Sequence, residues 1–275
     1  MFALMGALAK VSSPHVPTFE LVAFRSGITW LVMDLVRRKA RVPLEFFGYG
    51  ILLSRSLAGF VGITCYFYAL HYIPLGDAVL LNNASPVLTS LGAVLLLGER
   101  MTPVKALALC ASLGGVWFLV DGRVTLAESR GAWVGAFSAV ASAWALVSLK
   151  VATRRNRSVI VVWCLAATST LGALCFFDST WAWPADARQW ALLLGTGLTA
   201  AAAQLLMTMG YRLLDASEAS VYSYFTPVFA VLLGIVWFGD IPRAGTWLGG
   251  ALIVASGTAV ALASRAKPPL AASPL

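Results

Sequence analysis

Charged residues are missing from seven windows of at least 19 residues: 56–76, 78–98, 131–149, 158–177, 189–211, 219–239 and 244–264. At about 1.5 Å of rise per residue, a helix of that length crosses a hydrocarbon core of roughly 30 Å. Charge-free length alone therefore predicts seven membrane-spanning helices. Three weaker segments add to them. Residues 106–120 form a shorter apolar run beside Lys105, whose aliphatic stem can lie along the lipid while its ammonium reaches water. Residues 19–36 are apolar apart from Glu20, Arg25 and Asp34. Met1 to about Val11 is apolar but as a helix spans only about 17 Å, too little to cross a bilayer alone.

The polar positions inside these windows carry the next layer of information. Between Asp77 and Glu99 run 21 uncharged residues, yet Asn82, Asn83, Ser85 and Pro86 sit in the middle, where lipid tolerates them poorly. Pro86 also removes a backbone donor. This stretch reads as a helix lining a cavity. It also recurs: a shift of 141 residues places Asp77 on Glu218, Ala78 on Ala219, Pro86 on Pro227, Val87 on Val228, Gly98 on Gly239 and Glu99 on Asp240. Lys10 falls on Lys150 at an offset of 140, and Gly115 on Gly257 at 142. A repeat of this length decides the fold before any single motif does.

The expected architecture is an all-α polytopic membrane protein of ten transmembrane helices, the first truncated, arranged as two five-helix repeats. Five is odd, so the copies must be inverted relative to each other. The expected boundaries are a first repeat over 1–122, an outer connecting loop over 123–130, a second repeat over 131–264 and a disordered tail over 265–275. The 140-residue offset leaves about ten residues missing ahead of Met1, which favours a late-assigned start over a genuine stub. No basic stretch precedes the apolar run, so it does not read as a cleaved signal peptide.

Composition sharpens this picture. A mean hydropathy of +0.82 places the chain outside the soluble range, as do 59% hydrophobic and 12% charged residues. The net charge of +8 is a topology signal rather than a nucleic-acid signal. With ten spans, one side collects thirteen Lys and Arg, including Arg37, Arg38, Arg154, Arg155 and Arg212, and the other collects Lys10, Arg123, Arg130, Arg188 and Arg243. The positive-inside rule then puts both termini in the cytoplasm, with the protein in the cytoplasmic (inner) membrane. Cys65, Cys110, Cys164 and Cys175 lie in apolar windows without C-x-x-C spacing, and buried free thiols are expected rather than a redox or zinc site. No metal or cofactor is expected.

Several motifs then carry a resemblance: Phe24-Arg25-Ser26, Tyr66-Phe67-Tyr68-Ala69-Leu70, Pro74-Leu75-Gly76-Asp77-Ala78, Ser85-Pro86 and Gly98-Glu99, with the echo Ala219, Thr226-Pro227 and Gly239-Asp240. In these the chain resembles the EamA-type transporters of the drug/metabolite transporter superfamily, over essentially its whole length. The resemblance implies ten helices in two inverted repeats, a central cavity reached alternately from each side, and transport of small organic metabolites, often outward.

The leading expectation is thus a secondary transporter, an exporter of a small organic solute by alternating access, acting as a monomer or homodimer in the lipid bilayer. No Gly-x-x-x-x-Gly-Lys loop exists to couple it to ATP. The alternatives are a broad-specificity drug efflux protein, or an intramembrane enzyme such as an acyltransferase. Against the enzyme, His15 and His71 fall in expected outer loops and no two acids share mid-membrane depth.

The candidate substrate-binding residues are Arg25, Tyr66, Asn82, Asn83, Trp144, Gln204, Tyr222 and Tyr224, with Pro86 and Pro227 as helix breakers. Arg25 is costly in lipid and must face protein or water. It reads either as an anchor for an anionic or zwitterionic solute or as a structural partner of Glu20, although five-residue spacing sets those two roughly 140° apart on a helix. Arg55, near a helix end, reads as a snorkelling residue. Asp77 and Glu218 each open a proline-bearing helix and read as N-terminal caps. Helix-to-helix hydrogen bonding competes with solute contact for the amides, and packing competes with it for Trp144 and Tyr66.

Overall fold

The computed structural model describes residues 1–97, 101–120, 125–177, 181, 183–213 and 225–265. Eleven helical segments occur among them. In chain order these are α1 (Phe2–Ser12), α2 (Thr18–Lys39), α3 (Tyr49–Tyr72), α4 (Leu75–Asn82), α5 (Ser85–Leu97), α6 (Pro103–Val120), α7 (Leu126–Arg155), α8 (Ser158–Leu174), α9 (Ala187–Leu213), α10 (Phe225–Phe238) and α11 (Ala244–Arg265). Four of them, α3, α6, α7 and α9, are long and apolar enough by length and composition to cross a membrane. The protein is an all-helical, polytopic membrane protein.

The elements end where local chemistry stops them. Thr125 caps α7, its Oγ1 accepting from the Glu128 amide at 3.2 Å. Helix α7 therefore begins at Leu126 and runs for 30 residues, so the loop expected over 123–130 is helical from Leu126. At the end of α10, Gly239 adopts φ +63° and the Asp240 amide reaches back to the Gly234 carbonyl at 3.1 Å. That left-handed turn favours glycine and closes the helix. The expected span 78–98 is broken: α4 ends at Asn82 and α5 starts at Ser85. Pro86 cannot donate to the Asn82 carbonyl, so the ladder is interrupted there. The expected tail beyond Arg265, the Gly98-Glu99 pair and Glu218 lie outside the described residues.

The helices pack through a few extensive pairings. Helix α3 runs along α7, α2 lies between α8 and α9, α6 pairs with α11, α1 packs on α9 and α10, and α4 on α10. Small residues set the approach distances. A Cβ on Gly115 of α6 would lie 2.7 Å from the Gly249 carbonyl oxygen of α11, so the two backbones touch. On α3, a Cβ at Gly62 would lie 3.0 Å from Ser142 Oγ of α7.

The two ends of the bundle differ. At one end lie the basic loops. Asn156, after α7, bonds both backbone groups of Phe47, with Nδ2 donating to the carbonyl at 2.9 Å and Oδ1 accepting from the amide at 3.0 Å. This ties the loop after α2 to the turn after α7 on a single face. Asp34 joins Arg37 and Arg38 there at 2.7 and 2.6 Å.

The opposite end is closed. Leu70, Ile73, Leu75 and Leu119 are fully buried there. Lys10 Nζ donates to the carbonyls of Ile73 at 2.6 Å and Leu70 at 3.3 Å, placing a cation on the C-terminus of α3, which its dipole favours. His71 lies within the last turn of α3 rather than in a loop. Its Nε2 sits 3.2 Å from the Val16 carbonyl of the α1–α2 turn. Cys110 and Cys175 are exposed on the flank of the bundle, not buried as expected, because the apolar windows they occupy face outward as well as inward.

Candidate functional site

Helices α1, α2, α3, α4, α5, α7, α9 and α10 surround a cavity of about 540 Å³. That is within the range of sites that enclose small organic ligands. It reaches from mid-depth toward the basic end, with Met207 and Tyr211 of α9 among its walls and Met1, 65% exposed, at its rim.

Helix α3 runs from the basic end to the closed end, and Arg55 sits about 9 Å along it. Its guanidinium does not snorkel back to the basic end. It extends toward mid-depth and lies over Gly59, where an added Cβ would come within 2.6 Å of Nη1. The glycine one turn on supplies the slot, and Arg55 is 3% exposed. Helix α2 runs the other way and brings Arg25, 1% exposed, into the same cavity. Neither guanidinium makes a hydrogen bond or ion pair with any described residue, and Arg25 Nε, Arg25 Nη1 and Arg55 Nε are fully buried without a partner. Glu20 and Arg25 do not pair, in keeping with their angular separation on α2. The described lining of the cavity includes no Asp or Glu, and the two cations repel each other across it.

The uncharged lining comes from the broken span and from α9. Asn82 Nδ2 donates to Ser138 Oγ and Ser142 Oγ of α7, both at 3.0 Å, and Asn83 Nδ2 donates to the Val79 carbonyl at 2.9 Å. The amides thus hold the break in place, and among the described residues no hydrogen bond engages either Oδ1. Gln204 is 6% exposed, and among the described residues its Oε1 has no partner. Tyr66 lines the same space with its hydroxyl against Gly6 of α1, where a Cβ would lie 2.5 Å from it.

Of the candidates read from sequence, Arg25, Tyr66, Asn82, Asn83, Gln204 and Pro86 are brought together on this cavity. Trp144 is not: it is 46% exposed on the flank of α7, and its Nε1 donates to Ser54 Oγ at 2.7 Å. Pro227 is buried in the first turn of α10. Tyr222 and Tyr224 lie outside the described residues. Arg55 was the residue missed, and the signal for it was Gly59, four positions on.

Above the cavity, a second cluster of charges joins the closed end. Asp77, in the first turn of α4, accepts from Thr246 Oγ1 of α11 at 2.7 Å and lies 3.7 Å from Arg243. Asp240, between α10 and α11, attracts Lys10.

Comparison with known proteins decides the family. The model of the EamA-like transporter family matches residues 1–121 and again 129–262. The chain belongs to the EamA-like transporter family. This EamA-like chain is 34% identical over 253 residues to the pseudopaline exporter CntI of Pseudomonas aeruginosa, covering 92% of this chain and 89% of the relative. It is 26% identical over 270 residues to a riboflavin transporter of Vibrio cholerae, covering 93% and 87%. A solved crystal structure, 26% identical, superposes with a TM-score of 0.69 over 96% of this chain and 94% of the other. The protein is a transporter of an integral membrane family and not an enzyme.

Proposed function

We propose that the chain is a secondary transporter exporting a small organic solute across the cytoplasmic membrane by alternating access, as ten spans in two inverted five-helix repeats. The observation that carries this reading is a cavity closed at one end of the bundle and extending toward the other, where the basic loops and, by the positive-inside rule, the cytoplasm lie. The conformation is then the inward-facing one. The helix pairings support the repeat, because exchanging the first five spans with the last five maps the most extensive of them onto another observed pair or onto themselves. Pair α3–α7 becomes α9–α1, α2–α9 becomes α8–α3, and α5–α7 becomes α10–α1, while α2–α8, α6–α11 and α4–α10 map onto themselves. Rocking of one half against the other around a midplane site is the motion such symmetry permits. Outward direction is taken from the pseudopaline exporter, and cargoes as different as pseudopaline and riboflavin among the relatives support a small organic solute as the class.

The test uses purified full-length protein in liposomes without ATP. Solute counterflow is expected for at least one member of a panel of amino acids, organic acids, vitamins and polyamines. In a cysteine-free background, Met207→Cys should react with an impermeant maleimide from the side bearing Ala40, and not from the other. Labelling of Met207→Cys from neither side, with no solute moved, would overturn the reading.

A further inference from the structure

From the two unpartnered arginines we infer that the cavity is built for a solute carrying at least two carboxylates, held one by Arg25 and one by Arg55. This deepens the transport reading and rests on it, since it names the class of solute for the same site. The argument begins with cost. A buried guanidinium without a partner loses its hydration and gains nothing in exchange, and a second one close by adds repulsion. The chain nevertheless places both at 1% and 3% exposure on one cavity, with no acid among the described lining residues to offset them.

Helix packing does not require cations at these positions of the repeat. At offsets of 140 and 141 residues the other half carries Leu165 and Thr196, both buried, in their stead. The charges are therefore in excess of what the scaffold needs, and the missing anions come from the solute.

Two features specify carboxylates in the plural. A single monoanion would leave one net buried positive charge. The two forks also arise from different helices that enter from opposite ends, so they meet groups at different depths, as a solute with separated acids presents them. Each planar guanidinium offers the paired N–H geometry that a carboxylate accepts with both oxygens. Gln204 Oε1, an acceptor without a partner, suits a hydroxyl or amine placed between the acids.

The experiment measures the thermal unfolding midpoint of the purified full-length protein in detergent against matched probes. These are glutarate, malate, citrate and iminodiacetate, compared with butyrate, glutaramide, cadaverine and glycerol 3-phosphate. The di- and tricarboxylates should raise the midpoint saturably. Half-saturation should come at a concentration at least about tenfold below that of butyrate, as expected when one charge-assisted pair is lost. Glutaramide and cadaverine should do nothing. Arg25→Gln and Arg55→Gln should each abolish the advantage of glutarate over butyrate, whereas Arg25→Lys should keep part of it.

A ligand-independent arm accompanies this. Arg25→Met and Arg55→Met should raise the midpoint of the ligand-free protein, because each removes an uncompensated buried charge. The inference is overturned if butyrate or glycerol 3-phosphate stabilises as well as glutarate, if no polycarboxylate stabilises, or if both Met variants melt below the parent. Arginine-dependent binding of glutarate without any counterflow would keep this inference and remove the transport reading. Counterflow of neutral or cationic solutes, unimpaired in R25Q and R55Q, would do the reverse.

Discussion

The closed end and the cavity both hold buried charge, and they treat it in opposite ways. At the closed end Lys10 caps α3, Asp77 receives a hydroxyl from Thr246, and Arg243 stands beside it. Each of these contacts joins two helices. In the cavity the guanidiniums of Arg25 and Arg55 join no other described residue. Buried charge with partners inside the chain is architecture, and buried charge without them is an unfinished interaction. That contrast separates two sets of residues whose chemistry, read one by one, is the same.

The contrast can be broken from the architectural side. Asp77→Ala removes a carboxylate whose side chain is 2% exposed and leaves Thr246 unsatisfied, so it should destabilise the protein by about 2–4 kcal/mol, seen as a lower thermal midpoint. Most of that comes from the hydroxyl and from the α4 terminus, because Arg243 is 37% exposed and 3.7 Å away. An unchanged midpoint in D77A would show that the closed end is not held by its charges.

A smaller effect is expected at the cavity wall. Asn82→Ala loses two hydrogen bonds to α7 but leaves Ser138 bonded to the Gly135 carbonyl, so about 1–2 kcal/mol is expected. Retained stability with weakened glutarate binding would instead assign Asn82 to the solute.

The smallest effect sharpens the boundary of the site. Trp144→Phe gives up one hydrogen bond to Ser54 on the flank and should cost no more than about 1 kcal/mol, with solute binding unaltered. A loss of binding in W144F would extend the site to that face of α7.

Much of this was legible beforehand because lipid imposes simple rules. The charge-free windows fall on helices, Pro86 marks the break between α4 and α5, and an arginine inside an apolar run such as Arg25 could only face protein or water. The remainder depended on direction rather than composition. Arg55 looked like a residue that would reach back to the headgroups, and only the space over Gly59 turned it toward mid-depth. Trp144 lies about 200° around α7 from Ser142, which faces the cavity, so its own character as a large aromatic hid a position on the opposite face. Likewise His71 continues α3 by one turn beyond where a loop was expected, because its ring reaches the Val16 carbonyl across the α1–α2 turn. Contacts of this kind join residues far apart in the chain, and local pattern does not encode them.

The interruption at Asn83 and Ala84 has a mechanical consequence. Helix α4 rests on α10 and α7 and is tied through Asp77 to α11, while α5 rests on α7 and α6. An uninterrupted rod over this span would carry any tilt at one extremity straight to the other. Because the ladder is cut where Asn82, Asn83 and Pro86 line the cavity, a change in the tilt of either piece would be taken up at the cavity wall.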